Sequence, residues 1–168
     1  MSENESVNLT TMNEPEFLEF LNAEVEGYAN EKVKAGAWKR EDAYELSRRD
    51  FMSILPQGKD TKGHSIMNIT DAKNRENVGI LWVEWHNVNH NSLFIWDILI
   101  YDKYRRKGYG SAALKHLEGL ARGRGISGIS LHVFGHNKPA IAMYNSLGFY
   151  TEDIIMKKVL AGNEGKEA

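Results

Sequence analysis

The sequence predicts a mixed α/β fold in which a mostly antiparallel central sheet is flanked by helices. Three observations predict it. Apolar residues recur at helical spacing near the N-terminus; three β-type runs then follow one another across short polar turns; and a glycine pair opens a further helix that leads back to a strand. At 168 residues and 42% hydrophobic composition, the chain is long enough for one sizeable core and short for two.

Residues 14–30 place Phe17, Phe20, Leu21, Val25 and Tyr28 at helical spacing, with Asn13 available as cap and Pro15 tolerated in the first turn. Ala43, Ser47, Phe51 and Ile54 repeat the pattern, and Pro56 followed by Gly58 ends that second helix. QGKDTKGH is a turn-rich break. After it SIMNIT, VGILWVEW and SLFIWDILI read as three strands, separated by DAKNREN and HNVNHN, and suit an antiparallel meander. Ala113, Leu114, Leu117, Leu120 and Ala121 form the apolar stripe of a third helix, and ARGRGISG returns the chain to a strand, ISLHVF. A fourth helix is predicted from about Pro139 to Leu147, closed by Gly148. FYTEDIIMKKV reads as a last strand, and residues 161–168 as a disordered tail with nothing to bury.

Composition removes several chemistries. There is no cysteine, which excludes disulfides, thiolate nucleophiles and Cys-based metal sites, and no metal centre is expected. MSENESVNLT lacks the basic and apolar regions of a signal peptide, and no run approaches the ~18 apolar residues of a membrane span. A soluble, cytoplasmic protein with no membrane partner is the expectation. The net charge is −2, but residues 1–60 carry 13 acidic and 7 basic side chains, whereas residues 101–150 carry 8 basic and 2 acidic. The basic part has few interleaved aromatics and the whole chain is slightly acidic. That favours a small phosphorylated ligand over nucleic acid.

Residues 92–111, SLFIWDILIYDKYRRKGYGS, supply an anion cradle: an apolar strand, a basic loop, then two glycines at a helix start. Gly108 and Gly110 let main-chain N–H groups face a ligand, the helix adds its dipole, and Arg105, Arg106 and Lys107 bring positive charge. GYGSAA also fits a dinucleotide-binding fingerprint as text. That reading fails because YDKYRRK separates the glycines from the strand and no acidic residue occurs between Glu118 and Glu152 to hold a ribose. A Walker A loop fails because no Gly-Lys-Ser/Thr follows.

Arg105-x-x-Gly108-x-Gly110, together with Asn137-x-x-Ala140-x-x-x-Tyr144-x-x-x-Gly148-Phe149 downstream, resembles the GNAT superfamily of N-acetyltransferases, most closely its small bacterial members of unassigned substrate. The resemblance covers about residues 64–159. It implies one acetyltransferase domain over 1–160, with a helical acceptor-side segment at 14–56 and a cofactor core at 64–159, and a sheet splayed at an acyl-CoA site. Acetyl-CoA is then the acyl donor. Its pyrophosphate falls to the amides of Arg106, Lys107, Gly108, Tyr109, Gly110 and Ser111 with the side chains of Arg105 and Lys107. Its pantetheine arm falls to the main chain of Ile98, Leu99 and Ile100, whose side chains belong to the core. Asn137 is well placed as a helix N-cap and, by resemblance, also hydrogen-bonds the cofactor. Tyr144 is either a half-buried aromatic or, by resemblance, the general acid for the departing thiolate.

The acceptor is expected to be a primary amine, on a small molecule or a polypeptide, attacking directly in a ternary complex. Its nitrogen must first lose a proton, and Asp97 and Glu84, on neighbouring strands, are the two candidates to take it, with His86, His90 and His132 behind them. A main-chain N–H at Ile98 or Leu99 is the candidate for the oxyanion. The acidic helices, including Glu19, Glu24 and Glu26, are expected to steer a cationic amine. Trp38, Trp82, Trp85 and Trp96 either line the acceptor cleft or fill the core. A homodimer through an exposed strand edge is a further possibility, as are two other readings: an acyl-CoA-binding sensor without catalysis, and a protein N-terminal acetyltransferase.

Overall fold

The first helix, α1 (Glu14–Lys34), opens with a capping box: Asn13 Oδ1 accepts from the Glu16 N–H at 3.0 Å, and Glu16 Oε2 accepts from the Asn13 N–H at 2.8 Å. It packs against α2 (Arg40–Ile54), which ends before Pro56 as the sequence requires. The coordinates are a computed structural model that describes residues 6–87, 92–156 and 158. They fall into two compact units, Met1–His132 and Val133–Ala168.

In the first unit the predicted meander is β2 (His64–Asp71), β3 (Asn77–Asn87) and β4 (Ser92–Ile100), preceded by β1 (Val7–Thr11) and followed by α3 (Tyr109–Gly123) and β5 (Gly128–Leu131). Strand order is β1-β2-β3-β4-β5. All neighbours are antiparallel except β4 and β5, which run parallel because α3 carries the chain back between them. β1 is absent from the sequence reading. Its five residues are polar apart from Val7 and Leu9, and only Val7 is buried, so pairing with β2 and not hydrophobic pattern makes it a strand.

The core has two layers, one on each face of the sheet. Phe17, Phe20, Val25, Phe51 and Leu55 from the α1/α2 side close over Ile66, Ile80 and Trp82. Leu81, Val83 and Trp85 alternate to the opposite face, where Arg124, just past α3, lies 3.8 Å over the Trp85 ring. Within the first layer, fully buried Ser47 donates its Oγ hydrogen to the Val25 carbonyl at 2.7 Å, tying α2 to α1. Ser47→Ala is expected to lower stability by about 1 kcal/mol in urea titration, with an unchanged denaturant slope.

In the second unit α4 (Lys138–Ser146) starts at Asn137, whose side chain accepts from the Ala140 N–H at 3.3 Å, the capping role its position predicts. It stops in a Schellman arrangement. Gly148 takes φ 89°, its N–H reaches the Asn145 carbonyl, the Phe149 N–H reaches the Tyr144 carbonyl, and the Tyr144 and Phe149 rings pack 5.5 Å apart. The last strand, expected over residues 149–159, is not formed among the described ones: residues 149–156 have no strand pairing, and Ile154, Ile155 and Met156 are exposed, while 157 and 159 lie outside the described residues. β-propensity without a partner strand does not make a strand. Residues 161–168, read as a tail, lie outside the described residues, as does His90. No described helix is long and apolar enough to cross a membrane.

Candidate active site

The site grows from an irregularity in β4. Residues 97–100 pair in register with β3 up to Trp82↔Asp97, but the next pair is Val83↔Ile95, so Trp96 is an extra residue and both Trp96 and Asp97 oppose Trp82. The bulge turns two consecutive side chains to the α1/α2 face. There the Trp96 ring stacks on Trp82 at 5.2 Å, and the Trp96 indole N–H donates to Glu84 Oε2 at 3.0 Å. On its other edge β4 pairs with β5 only from Ser92 to Ile95. From residue 96 to Ile100 that edge has no neighbouring strand among the described residues, and this is the splay expected of the sheet.

At the far end of the same segment β3 comes unusually close. A Cβ at Gly79 would overlap the Leu99 carbonyl oxygen and stand 3.2 Å from the Ile100 Cα. Beyond Ile100 the chain makes one 3-10 turn, Asp102–Tyr104, then enters the glycine loop. Arg106 and Gly108 both take the left-handed region, at φ 59° and 83°, and Gly108 becomes the N-cap of α3. No side chain caps that N-terminus, so the first N–H groups of the helix remain for a ligand. Two phenols anchor the loop from below: Tyr104 Oη donates to Glu76 Oε2 at 2.9 Å and Tyr109 Oη to Asp71 Oδ2 at 2.5 Å. The second bond pushes Tyr109 up to about 12 and holds Asp71 below the usual carboxylate range. Arg105 is engaged locally, its guanidinium 2.8 Å from Asp102 Oδ1 and its Nε–H donating to the Ile100 carbonyl at 3.1 Å. Lys107 lies 5.5 Å over the Tyr104 ring.

The two candidate bases therefore share one face but differ in surroundings. Burial pushes Asp97 up to about 6, against an opposing hydrogen bond from the Ile98 N–H. Glu84 is committed to the Trp96 indole. Of two further groups, sequence reasoning passed over His64 and gave Glu24 only a part in steering a cationic amine. His64, directly opposite Glu84 on β2, accepts from the Trp82 indole N–H at its Nδ1, 3.1 Å. An indole only donates, so this ring is neutral with its hydrogen on Nε2, and burial lowers its proton affinity further. Glu24 on α1 is pushed up to about 7, chiefly by burial and then by the charge of Asp97. The signal for Glu24 was in the helical spacing: it sits inside the stripe formed by Phe20, Leu21, Val25 and Tyr28. Of the tryptophans, Trp82 and Trp85 are buried, while Trp96 is 40% exposed beside Asp97. Asn137 and Tyr144 belong to the second unit, where Tyr144 is buried.

A family model described as "Acetyltransferase (GNAT) family" matches residues 22–149. The chain belongs to the GNAT acetyltransferase family. Its relatives include the uncharacterized N-acetyltransferase YycN of Bacillus subtilis, 39% identical over 156 residues that make up 92% of this chain and 99% of YycN. The crystal structure of YycN superposes with a TM-score of 0.81. A solved structure from Pyrococcus furiosus shares the fold, at a TM-score of 0.65 and 24% identity over 92% of this chain and 99% of that one. A more local match, 36% over 73 residues, 44% of this chain and 49% of the other, joins it to the ribosomal protein bS18-alanine N-acetyltransferase of Escherichia coli. As a GNAT protein with N-acetyltransferase relatives that match 92% and 90% of its length, the chain is an N-acetyltransferase.

Proposed function

We propose that this GNAT protein moves the acetyl group of acetyl-CoA to a primary amine by direct attack in a ternary complex. The observation that carries this reading is the edge of β4 beyond the bulge, unpaired among the described residues, which leads from Asp97 through one 3-10 turn and the glycine loop to the uncapped N-terminus of α3. An extended pantetheine arm needs a strand edge and a pyrophosphate needs free N–H donors, so the residues present fit the donor. The main chain of Ile98, Leu99 and Ile100 would hold the arm, and residues 106–111 the pyrophosphate. Arg105, tied to Asp102 and the Ile100 carbonyl, would hold the loop in shape as well as contribute charge.

Bound acetyl-CoA supplies a thioester whose carbonyl carbon is open to a neutral amine. Asp97, its proton affinity raised by burial, takes the proton from the acceptor nitrogen; the Ile98 N–H is already engaged with Asp97, so of the two main-chain candidates it is the Leu99 N–H that faces the carbonyl oxygen. In the second unit, the Tyr144 motif supports a phenol that gives its Oη proton to the departing sulfur. The acidic N-terminal helices favour a cationic acceptor.

Acetyl-CoA is expected to raise Tm, by an amount that grows with its logarithm above Kd. Tyr144→Phe is expected to lower kcat about tenfold or more while leaving acetyl-CoA affinity nearly intact in calorimetry. No thermal shift at saturating donor would sink the reading. The local match to a ribosomal-protein alanine acetyltransferase supports a second reading, in which the amine is a polypeptide N-terminus. An acetyl mark on one polypeptide and on no small amine would select it.

A further inference from the structure

The acceptor side of the sheet carries a carboxylate that the reaction above leaves unused. Glu24 lies on the stripe of α1 that packs against the sheet, four residues past Phe20, three past Leu21 and next to Val25, each part of the core cluster or packed on it. Phe20 meets Trp82 edge-on at 6.0 Å, and Trp82 stands directly opposite Asp97 in the β3/β4 ladder. The next turn of α1 thus carries Glu24 to the neighbourhood of Asp97, close enough for the two charges to interact. Both side chains are half-buried, and no lysine or arginine pairs with either among the described ion pairs. Two carboxylates in one partly dry place, with no cation of their own, are complementary to a cation that arrives with the acceptor.

We propose that Glu24 and Asp97 act as a pair, in which Glu24 selects an acceptor that arrives as an ammonium ion and Asp97 takes its proton. This rests on the acetyl transfer proposed above. The stacked Trp82 and Trp96 rings, with Trp96 part-exposed and Phe94 edge-on to it at 5.3 Å, place an aromatic surface beside the pair. The acceptor class is therefore a primary alkylamine on an apolar or aromatic stem, with the ammonium on the carboxylates and the stem on the indole.

Other titratable groups on this side are His64 on β2, Glu84 on β3 and Tyr101 just past β4, which feels Glu19 and Glu16 of α1. α2 turns Ser47 and Phe51 inward and leaves Arg48 and Arg49 exposed. With burial pushing Asp97 to about 6 and burial plus Asp97 pushing Glu24 to about 7, the pair retains part of one proton near neutrality, and an entering ammonium expels it to solvent. In the transfer, one ammonium proton passes to Asp97, nitrogen bonds to the acetyl carbon, the C–S bond breaks, and a second nitrogen proton ends on the departing thiolate. Asp97 then returns its proton to water.

The test compares phenethylamine, an ammonium ion at pH 7, with aniline, which is neutral there, using the wild type, Glu24→Gln and Glu24→Asp. Glu24→Gln is expected to lower kcat/KM for phenethylamine roughly thirtyfold or more, mainly through KM, to leave aniline little changed, and Glu24→Asp to recover most of the loss. Calorimetry of phenethylamine binding without donor, in two buffers of different ionisation enthalpy at pH 6.5, should show a proton release in the wild type that falls to well under half in Glu24→Gln, where only the smaller share held by Asp97 remains. Equal losses for both amines, or proton release undiminished by the substitution, overturns the pair. Failure of either amine to consume acetyl-CoA counts instead against the transfer reaction, while the donor-free calorimetry still decides the role of Glu24; if phenethylamine does not bind at all, the pair is overturned too.

Discussion

Gly79→Ala is expected to destabilise the protein by about 3 kcal/mol and to lower Tm by roughly 10 °C. The reason is steric and not conformational. Gly79 pairs with Ile100 in the β3/β4 ladder, and a methyl group there overlaps the Leu99 carbonyl oxygen while touching the Ile100 side chain at 3.0 Å and its Cα at 3.2 Å. A side-chain tip can rotate away; a main-chain carbonyl held between two strands cannot. The end of β4 has to shift, and that end is the segment assigned to the pantetheine arm. Acetyl-CoA affinity should therefore fall along with stability. Gly119→Ala in the middle of α3 is the control: nothing lies within 4 Å of the added methyl, and a gain of about 0.5–1 kcal/mol is expected from helix propensity. Equal melting temperatures for the Gly79 variant and the wild type would show that the strands do not approach so closely.

Most of the first unit's architecture was legible because its elements announce themselves locally. The stripe of α1, the three runs of the meander and the glycines before α3 each carry their own period or turn chemistry. β1 and residues 149–156 fail that logic in opposite ways. VNLTT is nearly featureless as a sequence, yet it pairs with β2 from Val7↔Asp71 to Thr11↔Met67. FYTEDIIMKKV has strong β character, yet residues 149–156 meet no partner strand. Strand formation is a property of the pair, and one chain segment contains half of the information. The same limit governs the site. The order strand, basic loop, two glycines was readable, but the extra residue at Trp96 was not, since nothing in SLFIWDILI marks where register with β3 will slip. That slip decides which strand residues face the acceptor side. It brings Trp96 and Asp97 together against Trp82 and leaves Glu84 holding an indole. The Tyr144-x-x-x-Gly148-Phe149 spacing shows how one motif can carry two meanings, because it also spells the Schellman stop of α4.

Asp97→Asn should lower kcat about a hundredfold or more at pH 7 and, at the same time, make the protein more stable. The first effect follows from removing the group that takes the acceptor's proton; asparagine keeps the size and can still accept from the Ile98 N–H, so acetyl-CoA binding should survive. The second follows from linkage. The folded carboxyl holds its proton more tightly than an unfolded aspartate does, about 6 against an ordinary 3.8. Its stability contribution is therefore complete below about pH 4 and is lost as the pH rises to about 6, where burial of the charge begins to oppose folding. Asparagine carries no such charge, so the variant should gain on the order of 1–3 kcal/mol above pH 7 and show a flatter dependence of Tm on pH between 4 and 7. The wild-type kcat should rise with pH over the same range, with apparent values that belong to Asp97 and Glu24 together. A residue kept for packing would lose stability and activity together when replaced; one retained for proton transfer separates them. If Asp97→Asn melts lower than the wild type at pH 8 and loses only a fewfold in kcat, the base lies elsewhere.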